Sequence, residues 1–171
     1  MNKPTIRLLS ADDLAAYKTL RDAGLKSDPE AFNSDFDAET QRPPASYATR
    51  LGEPPHDDFI LGAFDADGNL LGAVVCMREA KIKKRHEASL AGMIVDPAHR
   101  NQGIGRTLLA EVDTLIRRMP GVEHIVLTVT TNNANAVRLY EGAGFVHYGL
   151  LPRALKIDDQ YFDQALMVKK L

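Results

Sequence analysis

The run Val95-Asp96-Pro97-Ala98-His99-Arg100-Asn101-Gln102-Gly103-Ile104-Gly105-Arg106 joins an apolar, strand-like segment to an amphipathic helical pattern through a loop carrying two glycines. Glycines at 103 and 105 let the main chain come close to a ligand, and the free N–H groups of a helix's first turn then point at it. The chemistry this supports is the holding of a polyphosphate. The candidate cradle runs through Arg100, Asn101, Gln102, Gly103, Ile104, Gly105, Arg106 and Thr107. Arg100 and Arg106 either add positive charge to the cradle or face solvent.

Two common phosphate loops do not fit. A nucleotide-triphosphate loop has a Lys-Ser/Thr pair after its second glycine, whereas Gly105 is followed by Arg106-Thr107. A dinucleotide fingerprint has a third glycine where Leu108 stands, and an acid after the next strand, where the chain reads Leu127-Thr128-Val129-Thr130. What remains is Arg100-x-x-Gly103-x-Gly105, and downstream stands Asn133-Ala134-Asn135-Ala136-Val137-Arg138-Leu139-Tyr140-Glu141-Gly142-Ala143-Gly144-Phe145. These two segments, in this order and at this separation, resemble the motifs of the GNAT superfamily of acyl-coenzyme A-dependent N-acyltransferases. More loosely, the resemblance extends from Ile6-Arg7 to the closing strand around Tyr161 to Val168.

The resemblance implies acetyl-coenzyme A as acyl donor, with no metal. It implies that the strand end Met93-Ile94-Val95 pairs with the pantetheine arm like an extra strand, one backbone N–H holding the thioester carbonyl. Asn133 matches the asparagine that hydrogen-bonds that arm, and its position equally suits a helix N-cap. Tyr140 matches the donor of a proton to the leaving thiolate; a phenol of ordinary pKa about 10 is protonated at neutral pH, and the competing reading is a core aromatic. For the general base, Glu87 is the nearest acid on the fourth strand, while the family's glutamate falls nearer Ser89, which can instead position a water. His86 and His99 are the other local titratable groups and read as surface histidines. Glu39 falls in the segment that walls the acceptor site and reads as a solvated acid.

These groups need a scaffold, and the pattern supplies one. Thr5 to Leu9 is strand-like, Ser10 and Asp13 make a capping box, and a helix runs through Leu14, Tyr17, Leu20 and Ala23. Prolines loosen the chain from Ser27 to Glu53, with short helices expected near Phe32 and from Tyr47 to Leu51. A hairpin follows, Phe59 to Asp65 and Leu70 to Arg78 about the turn Asp67-Gly68-Asn69, then a strand Ala88 to Val95. Ile104, Leu108, Leu109, Val112, Leu115, Ile116 and Met119 form a helical stripe ending at Pro120-Gly121, with Arg117 and Arg118 in its last turn. A strand His124 to Thr130, a helix from about Asn133 to Ala143, and strands near Phe145 to Leu150 and Tyr161 to Val168 complete the chain. Hairpins followed by alternating strands and helices predict one α/β (α+β) domain over residues 1–171. Its central sheet is mixed and mostly antiparallel, flanked by helices, with the GNAT-type splayed parallel strands at the coenzyme A site.

Composition narrows the partners. A net charge of −2 in 171 residues is unlike a nucleic-acid binder, and the basic run Lys81, Lys83, Lys84, Arg85 reads as a solvated hairpin tip. Neither a secretory signal nor a membrane-spanning run is present, so a cytoplasmic protein is expected. The lone Cys76 sits in an apolar run and reads as a small buried hydrophobe. No metal-ligand spacing and no nucleophile elbow occurs. The sequence therefore predicts an N-acetyltransferase that moves acetyl directly to the primary amine of a small molecule or a peptide N-terminus in a ternary complex. A coenzyme A-binding sensor or assembly module that catalyses nothing is the alternative. The C-terminal strands are the candidate surface for a homodimer.

Overall fold

The computed structural model describes residues 3–53 and 56–171. Its strands are β1 (Thr5–Leu8), β2 (Asp58–Phe64), β3 (Leu70–Arg78), β4 (Glu87–Val95), β5 (His124–Thr130), β6 (Val146–Ile157) and β7 (Gln160–Lys170). The α-helices are α1 (Leu14–Ser27), α2 (Phe36–Thr40), α3 (Ile104–Ile116) and α4 (Ala134–Gly142), with 3-10 turns between them, among them Pro29–Ala31 and Pro44–Arg50. The sheet order is β1-β2-β3-β4-β5-β7-β6, and β4–β5 is its parallel pair.

Period-two alternation sorts the central strands onto two cores. Phe59, Leu61, Ala63, Val74 and Cys76 face α3, where they meet Leu108, Val112 and Ile116. Ile60, Phe64, Ala73 and Val75 face α1 and the Pro44–Arg50 turn, where they meet Leu14, Tyr17 and Tyr47. Cys76 is fully buried, and burial pushes its thiol up to about 12, so it remains an unreactive thiol.

β4 breaks this alternation, and the site is built on the break. Ala88 and Leu90 belong to the α3-side core, but Ile94, which unbroken alternation would put on the same side, lies in the α1-side core. A bulge reverses the parity: the register with β3 runs Val75↔Ala91 and then Ala73↔Ile94, and Gly92 inside the bulge has φ +57. Beyond the bulge β4 turns away from β5. The parallel pairing covers Glu87↔His124, Ala88↔Ile125 and Ser89↔Val126 and goes no further. The strand ends are therefore splayed, and the Met93–Val95 backbone edge on the β5 side has no strand partner.

The expected elements occur with shifted ends. The capping box at Ser10 and Asp13 forms, on a 3-10 turn that leads into α1. The α3 helix stops at Ile116 with Arg117 as its C-cap, so Arg118 and Met119 lie in the turn after it. Strand β6 continues to Ile157, well past Leu150, because its hairpin with β7 turns only at Asp158, held at φ +51. Val146, Tyr148, Leu150 and Leu151 on β6 are exposed. None of the helices among the described residues is long and apolar enough to cross a membrane.

Candidate functional site

Two cavities flank the splayed end of β4. The larger, about 720 Å³, lies between the end of β4, the loop before α3, and the first turns of α3 and α4. It is lined by Met93, Ile94, Val95, Arg100, Asn101, Gly103, Ile104, Gly105, Arg106 and Asn133 of the expected residues. Gln102 and Thr107 do not line it. The Gln102 side chain reaches back toward the Ala98 carbonyl, and the Thr107 N–H donates to the Gly103 carbonyl at 3.0 Å, as a helical amide past the first turn must.

The cradle geometry follows from two left-handed residues. Asn101 has φ +62 and Gly103, the N-cap of α3, has φ +80. Such alternation turns successive N–H groups to one side and makes an anion-binding concavity. A Cβ added at Gly103 would meet nothing within 4 Å, so the space in front of the loop is open. At Gly105 a Cβ would come within 2.9 Å of the Leu139 side chain, so this glycine lets α3 approach α4. The residues fit a polyphosphate: free first-turn amides, an open concavity, and the Arg106 and Arg138 side chains at its wall.

Arg100 is committed elsewhere. Its Nη2 donates to Asp28 at 2.5 Å and its Nε to the Val95 carbonyl at 3.3 Å, so its charge ties the segment after α1 to the cradle loop. Two further bonds fix that segment: Thr130 Oγ1 donates to the Glu30 carbonyl at 2.5 Å, and Gln164 Nε2 to Asn33 Oδ1 at 2.8 Å. Ala31 and Phe32 of this strap line both cavities.

Asn133 caps α4, its Oδ1 accepting from the Ala136 N–H at 3.1 Å. Its amide nitrogen stays available to the larger cavity, so the cap leaves a donor free for a ligand. Tyr140 stands one turn beyond Ala136 on the same face of α4 and does not itself line either cavity. Its ring packs edge-on against Phe145 at 5.9 Å, and burial alone pushes the phenol up to about 12.

The acids and histidines lie apart from this. Glu87 sits at the start of β4 with Lys84 Nζ at 3.1 Å and His124 Nε2 at 3.3 Å. Four residues separate it from Ala91, roughly 13 Å along the strand. Ser89 Oγ points to the Met77 carbonyl at 3.4 Å, and neither Glu87 nor Ser89 lines a cavity. His86 stacks on His124 at 5.2 Å at the same end of the sheet, while His99 lines the larger cavity beside Asp96.

Glu39 corrects the sequence reading: it is buried, not solvated. Arg21 Nε donates to Oε2 at 2.7 Å, the Tyr47 hydroxyl to Oε2 at 2.7 Å, and Arg42 Nη1 to Oε1 at 2.9 Å. Burial pushes this carboxyl up, but the hydrogen bonds from Arg21, Tyr47 and Arg42 outweigh it and hold the group down at about 2. The stabilisation is fully present above the ordinary carboxylate value of 4.5 and is lost as pH falls toward 2, about 3 kcal/mol in all. Glu39→Gln is expected to lower the unfolding free energy at pH 7 by about 3 kcal/mol in urea titration, and to flatten the loss of stability between pH 4.5 and 2. An unchanged acid limb in the variant would show that Glu39 does not carry it.

The smaller cavity, about 180 Å³, lies on the other side of Phe32, against the bulge of β4. Arg21, Asn33, Ser34, Arg50, Thr128 and Gln164 supply its polar lining. Arg21 and Arg50 carried no expectation from the sequence. A signal existed for Arg21: with Lys18 it occupies the i, i+3, i+4, i+7 stripe of Leu14, Tyr17 and Leu25, a buried face where a charge needs a partner. Among the described residues no group of three or more His, Cys, Asp or Glu is placed to hold a metal.

Comparison with known proteins bears on this arrangement directly. The pattern of the Acetyltransferase (GNAT) family matches residues 20–145, which contain the second half of α1, the bulged β4, the cradle and α4. The chain is 34% identical over 116 residues to the N-alpha-acetyltransferase RimI of Mycobacterium tuberculosis, covering 67% of this chain and 68% of that one. It spans about half the length of other curated relatives it matches, between 39% and 56%. A GNAT-family acetyltransferase from Streptococcus pneumoniae superposes with a TM-score of 0.83 at 25% identity, covering 99% of each chain. A structure from Salmonella typhimurium with its cofactor acetyl-CoA superposes with a TM-score of 0.81 at 23% identity, over 99% of this chain and 95% of that one. With a splayed β4, a phosphate-type cradle and a matching sequence pattern over most of its length, the chain belongs to the GNAT acetyltransferase family.

Proposed function

We propose that the protein is an N-acetyltransferase that passes acetyl from acetyl-coenzyme A directly to a primary amine. The observation that carries this is the adjacency of the two cavities at one strand end. The cradle and the unpaired Met93–Val95 edge lie on one side of Phe32, and a small polar cavity lies on the other. Acetyl-coenzyme A supplies an acyl group already activated as a thioester. The amides of residues 102 to 106 that remain unbonded hold its pyrophosphate, with Arg106 as a charged neighbour. The free backbone edge of Met93–Val95 pairs with the pantetheine arm and presents an N–H to the thioester oxygen, where a donor is worth most as charge develops. Asn133 Nδ2 donates to the same arm. Tyr140 delivers the proton that the departing thiolate takes up, which a phenol kept at about 12 can do throughout the neutral range.

Proton removal from the amine is the step with the weakest local equipment. No carboxylate lines the smaller cavity, and neither Glu87, paired with Lys84, nor Ser89 is on its wall. Like-charge repulsion from Arg21 and Arg50 lowers the pKa of an amine entering there, so water serves as the immediate acceptor. Direct transfer requires both substrates bound together. Initial rates with both concentrations varied are expected to give intersecting double-reciprocal lines. Parallel lines would instead mean a covalent acyl-enzyme and would contradict direct transfer.

A further inference from the structure

The smaller cavity carries information about its occupant, given the transferase reading on which this inference rests. One buried donor on its wall, Arg21, has hydrogen-bonding capacity unspent. The Arg21 side chain is 9% exposed; its Nε is bound to Glu39 and its Nη2 to Ser34 Oγ at 3.0 Å, which leaves Nη1. That nitrogen lies against the bulge: a Cβ at Gly92 would stand 3.2 Å from Arg21 Nη1 and 4.0 Å from the Tyr17 hydroxyl. The Tyr17 hydroxyl, sealed from solvent, stands beside that nitrogen and does not line the cavity. Buried polar atoms are seldom left unpaired, and a guanidinium N–H left over on a cavity wall marks a place where a ligand atom completes the set.

The charge at this point is one-signed. Arg21 and Arg50 are the ionisable residues lining the cavity, and no acid lines it. Glu39 lies behind Arg21 and is shared with Arg42, so one carboxylate faces two guanidinium groups. Arg50 forms no ion pair among the described residues. A polyamine placed here would meet like charge, and a neutral peptide main chain would leave Arg50 without a counter-ion and the Arg21–Arg42–Glu39 cluster with its excess positive charge. At about 180 Å³ the space is also smaller than the roughly 300–1,000 Å³ of pockets for drug-sized ligands.

We infer that the acceptor is a small amine bearing its own anionic group, of the α-amino carboxylate type, with Arg21 Nη1 and Arg50 holding the anion. Guanidinium donors suit a planar carboxylate, and Asn33, Ser34, Thr128 and Gln164 are left for the remainder of the molecule. Because Arg21 lies against Gly92, the anion sits beside the bulge that splays the strand, and only a short spacer separates it from the amine. Arg21 and Arg50 are thus specificity-determining residues.

The test is equilibrium binding by calorimetry of the α-amino acids and their matching carboxamides, with spermidine as a polycation, to the full-length protein at low salt. The best-bound acid is expected to bind at least about tenfold more tightly than its carboxamide, and spermidine more weakly than either. Arg50→Gln, which breaks no ion pair, is expected to reduce that preference several-fold, with an unaltered melting temperature as the control for folding. Carboxamides binding as well as acids, spermidine binding more tightly than the acids, no acid binding at all, or an undiminished preference in Arg50→Gln would overturn the inference. Binding does not require turnover, so an acid that binds but is never acetylated would contradict the transferase reading and leave this site assignment standing.

Discussion

Tyr140→Phe is expected to lower kcat by about 100-fold while leaving the dissociation constant for coenzyme A unchanged, because a positioned proton donor contributes roughly 10²- to 10⁴-fold and the change removes one oxygen. The ring stays, so the packing on Phe145 stays, and only burial perturbs the phenol, so no protein hydrogen bond is lost with it. A stability change within about 1 kcal/mol is therefore expected. The pH profile adds a second check. With the phenol held at about 12, ionisation of this acid brings no fall in kcat below about pH 10. An alkaline fall at lower pH belongs to another group and should survive in the variant. An unchanged single-turnover rate for Tyr140→Phe would reduce the residue to a core aromatic.

Gly103→Val is expected to weaken coenzyme A binding by at least about tenfold in calorimetry, for two reasons that can be separated. At φ +80 a β-branched residue costs about 1–2 kcal/mol of backbone strain, and its side chain enters the open space before the α3 amides. Asparagine tolerates the left-handed region, as Asn101 does two residues earlier at φ +62. Gly103→Asn should therefore keep most of the melting temperature while still crowding the cradle, and its affinity should fall between valine and wild type. Wild-type affinity in Gly103→Val would move the phosphate site away from this loop.

The cradle and its helix were legible because they rest on local chemistry: a glycine at a left-handed N-cap and an apolar stripe at helical spacing both leave marks in a short window. Asn133 was legible as a cap for the same reason. The splay was not, since it depends on where β4 stops pairing with β5, a contact between segments more than thirty residues apart. Gly92 did offer a hint, because a lone glycine inside a strand pattern often marks a bulge, but which strand it would release is a tertiary fact. Glu39 looked like a solvated acid because its partners, Arg21 and Tyr47, lie 18 and 8 residues away. The acceptor cavity was the least legible part. It gathers α1, the strap after it, the Pro44–Arg50 turn and four strands, and none of these residues signals its role alone.

We propose that this protein moves acetyl from acetyl-coenzyme A to an amine. The most direct measurement is the initial rate of free-thiol release from acetyl-coenzyme A, with and without each member of a panel of amino acids, polyamines and N-terminal peptides. Release is expected to depend on an amine, to saturate with it, and to yield the N-acetylated amine in equal amount. Tight binding of acetyl-coenzyme A with no amine-dependent release across the panel would contradict it and leave a coenzyme A-binding module in place of an enzyme.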